Sequence, residues 1–209
     1  MNQKPATDPL IIALDLESKA EADALVTTLG DSAAFYKVGM ELYAATGMDY
    51  VRSLIDRGKK VFLDMKYYDI GETVRRAVAV AAKSGATFLT VHAVGQVMRA
   101  AVEGRGDSPM KLLAVTVLTS LDQHDIEEMG HHTTVSELVA LRVAQAQDAG
   151  IEGLVASPLE AAAIRRLAGP DTIIVTPGVR SAGAAKGDQK RVATPAEALR
   201  DGANYLVIG

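Results

Sequence analysis

A chain of 209 residues suffices for one domain with a single sizeable core, and 1–209 reads as one such unit. Hydrophobic residues make up 48% and charged residues 23%, the balance of a folded soluble protein, and a net charge of −4 offers nucleic acid no footing. No cysteine is present to build a disulfide framework or act as a thiolate. No apolar stretch reaches the ~20 residues of a membrane span, and the polar start is not a secretory leader, so the expected compartment is the cytoplasm.

Along the chain, short runs rich in Val, Ile and Leu stand at 10–15, 34–39, 60–66, 88–94, 111–119, 153–158, 172–179 and 205–209. Such runs suit parallel strands covered on both faces. Helical periodicity fills the intervals. Segment 72–83 places Val74, Ala77, Val78 and Ala81 on one face, and 135–149 does the same with Leu138, Val139, Arg142 and Ala146. Glycines at 58, 85, 150 and 202 close helices shortly before a strand begins. Eight strands alternating with helices predict a (β/α)8 barrel, the TIM-barrel form of the α/β class. An open doubly wound sheet would carry a G-x-G-x-x-G turn after its first strand, where this chain reads Asp15-Leu16-Glu17-Ser18.

Barrel active sites lie at the C-terminal ends of the strands, so charges there need a reason. The first strand ends at Asp15 and the second presents Lys37 on the same face as Phe35 and Gly39. The third presents Asp64 and Lys66 on one face, with Leu63 and Met65 on the other. Four ionisable groups of alternating sign thus converge on one rim. At an effective dielectric near 20, two unit charges ~4 Å apart interact by about 4 kcal/mol, enough to tune one another as functional groups do. A structural ion-pair network is the competing reading.

Asp64-x-Lys66-x-x-Asp69 followed by Ile70-Gly71-Glu72-Thr73-Val74 resembles the signature of the orotidine 5′-monophosphate decarboxylases, although its D-x-K-x-x-D core also occurs in related phosphosugar barrels. Further resemblances lie in Ile12-Ala13-Leu14-Asp15, in Val115-Thr116-Val117-Leu118-Thr119-Ser120, and in Thr176-Pro177-Gly178-Val179-Arg180 through Gly187-Asp188-Gln189-Lys190-Arg191. The four motifs follow the family's order and span essentially the whole chain.

The resemblance implies cofactor-free and metal-free decarboxylation of orotidine 5′-monophosphate to uridine 5′-monophosphate, with no membrane or nucleic-acid partner. It implies that Lys66 stabilises charge developing at C6 and delivers the proton, that Asp64 sits near the substrate carboxylate, and that Lys37 belongs to the same array. Asp69 would complete that array from the second subunit of a homodimer, and Thr73 would reach ribose from the same neighbour. Asp15 would serve ribose and base, Lys37 also ribose, and Thr119 the pyrimidine. Arg180 and Gln189 would hold phosphate, with Gly209 as a backbone donor. The family pattern also continues past Gly209 with an arginine and a helix covering the barrel between its eighth and first strands. Independently of the resemblance, Arg180, Lys186, Lys190 and Arg191 stand against one acid, Asp188, a local basicity that suits a phosphate dianion.

Other signals carry less. His131-His132 with His124 finds no convincing third metal ligand, and His92 reads as a hydrogen-bonded rim or core residue. Neither a G-x-S-x-G elbow nor a G-x-x-x-x-G-K-[ST] loop is present. The rival functions are a Mg2+-dependent phosphosugar lyase or aldolase on the same barrel and a non-catalytic nucleotide binder. Against the first stand Thr116-Val117-Leu118-Thr119 and Asp188-Gln189. Against the second stands the Asp64/Lys66 pair, since a pure binder has no use for a carboxylate facing an anion.

Overall fold

The computed structural model describes residues 8–179, 191 and 193–209. Eight parallel strands close into a barrel in sequence order: β1 (Leu10–Ala13), β2 (Phe35–Gly39), β3 (Lys60–Tyr67), β4 (Phe88–His92), β5 (Lys111–Val115), β6 (Gly153–Val155), β7 (Ile173–Thr176) and β8 (Tyr205–Ile208). β8 pairs back onto β1, with Leu10 opposite Leu206 and Ile12 opposite Ile208. Helices fill the intervals: α1 (Lys19–Leu29), α2 (Met40–Asp56), α3 (Gly71–Ala82), α4 (Gly95–Arg105), α5 (Gln123–Glu128), α6 (Val135–Asp148), α7 (Ala161–Ala168) and α8 (Pro195–Arg200). The expected (β/α)8 barrel is therefore the fold.

Local chemistry explains the helix boundaries. Thr134 with Glu137, and Thr194 with Glu197, form reciprocal capping boxes that satisfy the first amides of α6 and α8. Gly58 and Gly150 adopt φ of +76° and +78°, the left-handed turn that lets the chain leave a helix and enter the next strand. On α3, Val74, Val78 and Ala81 are buried as the periodicity predicts. On α6 the buried set is Leu138, Val139, Val143 and Ala146. Arg142 lies at the edge of that face, and its guanidinium reaches the carbonyl of Thr116.

Several strands are shorter than their apolar runs. The fifth apolar run reaches residue 119, but β5 ends at Val115; beyond it Thr116 still bonds the Val155 carbonyl of β6, and the run then continues outside any strand. Apolarity marks burial rather than ladder pairing, and Val117 beyond the strand is as buried as the strand itself.

Two apolar layers hold the barrel. The outer one lies between strands and helices and includes Leu14, Val38, Leu63, Leu89 and Met98. The inner one fills the barrel with Ile11, Phe35, Phe62, Phe88, Leu113 and Val175. Phe88 packs with ring centroids 5.2 Å from Phe35, 6.0 Å from Phe62 and 5.4 Å from Tyr205. This aromatic plug closes the barrel below its C-terminal mouth, so the cavity above it has a dry floor.

Candidate active site

Each of the three strands that supply a phenylalanine to the plug supplies a polar residue two positions later, on the same inner face. Phe35 is followed by Lys37, Phe62 by Asp64 and Phe88 by Thr90. The polar residues therefore form a second layer above the aromatic one. Of these, Lys37 and Asp64 line the floor of a cavity of about 460 Å³, within the roughly 300–1,000 Å³ typical of small-molecule sites, with Thr90 buried beneath them.

In that layer the Lys37 ammonium lies 2.7 Å from Oδ1 of Asp15 and 3.8 Å from Oδ2 of Asp64. The Lys66 ammonium lies 2.9 Å from the same Oδ2 of Asp64. Asp64 is thus held between two cations while only 13% of its side chain is exposed. The side chains of Lys37 and Lys66 are 9% and 26% exposed, and that of Asp15, at the outer lip, 58%. A carboxylate so shielded needs its partners, because an unpaired buried charge is costly. Gly39 leaves room for this cluster. A Cβ there would lie 3.1 Å from Lys37 Nζ and 3.2 Å from Asp15 Oδ1.

The backbone at Lys66 is unusual. Lys66 is the only non-glycine residue with positive φ among those described, at +49°, where an L side chain costs about 1–2 kcal/mol. Pairing between β3 and β4 runs from Leu63 opposite Leu89 directly to Tyr67 opposite Val91. Four steps on β3 thus face two on β4, and the surplus bulges at Asp64–Lys66. Strict alternation, which placed Asp64 and Lys66 on one face, reaches the correct pairing by a different route. The bulge re-aims Lys66 so that its ammonium returns to Asp64.

Thr90 is a residue that pattern reading passed over. It is fully buried, its Oγ1 accepts a hydrogen bond from the Lys66 amide at 2.9 Å, and it donates to Oδ1 of Asp64 at 3.0 Å. A usable signal was present, since a lone hydroxyl residue on the inward face of a Phe-Leu-Thr-Val strand needs a polar partner inside the barrel.

The expected site residues divide three ways. Asp15, Lys37, Asp64, Lys66, Thr119 and Gly209 all line the one cavity. Asp69 and Thr73 do not: both are exposed on the flank, where Asp69 borders a shallow hollow with Tyr68, Ile70 and Val97. Arg180 and Gln189 lie outside the described residues, as do Lys186, Asp188 and Lys190.

Arg191 requires a correction. Its basicity was counted towards a phosphate site, but its guanidinium turns inward to Glu160. It also donates to the carbonyl oxygens of Val117 and Leu118 at 3.1 and 3.0 Å. Its own carbonyl accepts from Ser157 Oγ at 3.1 Å. The two charged side chains are 11% and 12% exposed, and burial pushes the Glu160 carboxyl up against the pull of Arg191. Arg191 therefore joins the segments that follow β5 and β6, and its charge is already committed.

His92 is half-buried beside Tyr68, with ring centroids 5.5 Å apart. Burial first, then the cationic Arg142 and Lys66, hold its imidazole below the usual range. Among the described residues no three His, Asp or Glu side chains gather as metal ligands, and no helix is long and apolar enough to cross a membrane.

Comparison with known proteins matches residues 8–209 to the model of the orotidine 5′-phosphate decarboxylase / HUMPS family. The orotidine 5′-phosphate decarboxylase of Rhodopseudomonas palustris (strain ATCC BAA-98 / CGA009) is 54% identical over 205 residues, covering 98% of this chain and 86% of its own. That of Methylobacterium radiotolerans is 55% identical over 202 residues, covering 97% and 87%. Among solved structures, the orotidine 5′-phosphate decarboxylase from Lactobacillus acidophilus superposes with a TM-score of 0.84 at 36% identity, covering 96% of this chain and 89% of that one.

Proposed function

The chain belongs to the orotidine 5′-phosphate decarboxylase / HUMPS family, and on that premise we propose that it converts orotidine 5′-monophosphate to uridine 5′-monophosphate and carbon dioxide, a step of pyrimidine biosynthesis. One observation carries the reading: Asp64 stands between the ammonium groups of Lys37 and Lys66 on the floor of the cavity.

Decarboxylation at C6 breaks the bond to the carboxylate carbon and leaves the electron pair on C6, where no carbonyl can delocalise it. The uncatalysed barrier is high, and catalysis must favour the charge of the transition state over that of the ground state. The Lys66 ammonium supplies a preorganised positive charge in a partly water-excluded site, and then its proton, which goes to C6. Solvent returns a proton to the amine. Asp64 faces the departing carboxylate and, through its hydrogen bonds, holds the ammonium in line. Lys37 and Asp15 bind ribose, Thr119 reads the pyrimidine, and Gly209 offers a backbone amide to the phosphate. Arg180 and Gln189 complete the phosphate grip. No organic cofactor or metal enters this scheme.

Asp69 and Thr73 act across a two-fold interface in this reading. Their exposure beside the apolar side chains of Tyr68 and Ile70, 68% and 70% exposed, supports an interface there.

The test is the ultraviolet absorbance change as orotidine 5′-monophosphate is consumed, with and without excess chelator. Turnover in both arms is expected. No turnover would refute the reading, and turnover abolished by chelator would favour the Mg2+-dependent phosphosugar chemistry of related barrels.

A further inference from the structure

Lys66 and Asp64 lie in the one stretch of the barrel, among the described residues, where the strand register shifts. Residues in a bulge lack the regular ladder that fixes side-chain direction elsewhere, so something else must set their angle. Among the described residues Lys66 has no register partner on either neighbouring strand. The acceptor of its amide is Oγ1 of Thr90, at 2.9 Å. The same oxygen carries one proton, which it directs to Oδ1 of Asp64 at 3.0 Å in preference to the Leu63 carbonyl at 3.5 Å. The other Asp64 oxygen, Oδ2, receives the Lys66 ammonium. A closed circuit results: Lys66 amide to Thr90 hydroxyl, hydroxyl to one carboxylate oxygen, and the other carboxylate oxygen to the Lys66 ammonium.

We propose that Thr90 is a positioning residue for the decarboxylation. Its hydroxyl holds the left-handed Lys66 backbone and the Asp64 carboxylate in one fixed relation, so that the ammonium is aimed before substrate arrives. This rests on the decarboxylase reading of the site. Thr90 does not line the cavity and touches no reacting atom; it acts through Asp64 and Lys66. The residue type fits the task. A hydroxyl both accepts and donates at a single atom, its methyl is fully buried, and its β-branch stiffens χ1.

Thr90→Val keeps shape and loses the hydroxyl, Thr90→Ala loses both, and Thr90→Ser keeps the hydroxyl alone. We expect kcat to fall by about tenfold to a hundredfold in the Val and Ala variants, the cost of a misaimed catalytic group, with KM and product-nucleotide affinity changed less than about threefold. Thr90→Ser should recover most of the lost kcat, which a packing role would not predict. By 15N-edited NMR, the Lys66 amide should exchange with solvent at least about tenfold faster in both hydroxyl-free variants, with Leu89 unchanged. Unaltered kcat in folded Thr90→Val or Thr90→Ala, or Thr90→Ser as slow as Thr90→Val, overturns the proposal. Should Thr90→Val fail to fold, Thr90→Ala decides. A wild-type protein that turns over no orotidine 5′-monophosphate refutes the decarboxylase reading instead, and Lys66 amide protection unchanged by the substitutions refutes the positioning.

Discussion

The Lys66 ammonium sits 2.9 Å from Oδ2 of Asp64, two residues earlier on the same bulged strand, and the Lys37 ammonium approaches that same oxygen at 3.8 Å. One shielded carboxylate oxygen thus serves two cations. Lys66→Ala is expected to abolish decarboxylation while leaving a folded barrel, because its side chain reaches into the cavity rather than into either apolar layer. Near-normal turnover in a folded variant, checked by circular dichroism, would remove the central assignment. Asp64→Ala should lose most activity too and bind a product-like nucleotide more tightly, since a negative charge facing an anion has gone. Weaker binding by isothermal titration would count against repulsion.

Asp69 stands outside its own chain's cavity, on the flank with Tyr68 and Ile70. If it completes a neighbour's site, Asp69→Ala and Lys66→Ala are each inactive alone. Exchange of subunits between them then creates heterodimers with one intact site, and random mixing of equal amounts should restore about a quarter of wild-type activity. Mixed protein that stays inactive after subunit exchange, followed by mass spectrometry, would sink the shared-site arrangement.

The Arg191–Glu160 pair is largely shielded at both ends, its side chains 11% and 12% exposed. Removing one charge strands the other, so Glu160→Gln and Arg191→Met should each lower stability by about 3 kcal/mol. The combination of Glu160→Leu with Arg191→Met should lie closer to the parent than either single change, because a desolvated pair is exchanged for apolar contact. Urea unfolding midpoints read all of these. Single variants as stable as the parent would show that the pair does not clamp the two loops.

His92 makes stability depend on pH in a definite direction. Its folded pKa is held below the ordinary value of 6.5, by burial first and then by Arg142 and Lys66. The unfolded chain therefore takes up this proton first as pH falls. The contribution of His92 is complete above about pH 6.5 and is lost as pH drops below that value towards the lowered folded pKa. Thermal unfolding midpoints between pH 7.5 and 5.5 should fall more steeply for the parent than for His92→Gln. Parallel slopes would mean that His92 is not the group responsible.

Much of this protein is legible in local pattern. Strand runs, helix faces and glycine stops depend on neighbours within a few residues, so the eightfold alternation can be read directly. The Phe35–Lys37 and Phe62–Asp64 spacings place charge above apolar plug for the same reason, because period two needs no knowledge of the partner strand. The tertiary structure decided whatever depends on register between distant segments. The two surplus residues of β3 exist only by comparison with β4, and they give Lys66 its left-handed turn. Thr90 becomes part of the site only once β4 lies beside that bulge. Arg191 looks like one more loop cation until the fold brings Glu160 and the Val117 and Leu118 carbonyls around it. Charge and residue type travel with the sequence, whereas the partner that a buried polar group must find is chosen by packing.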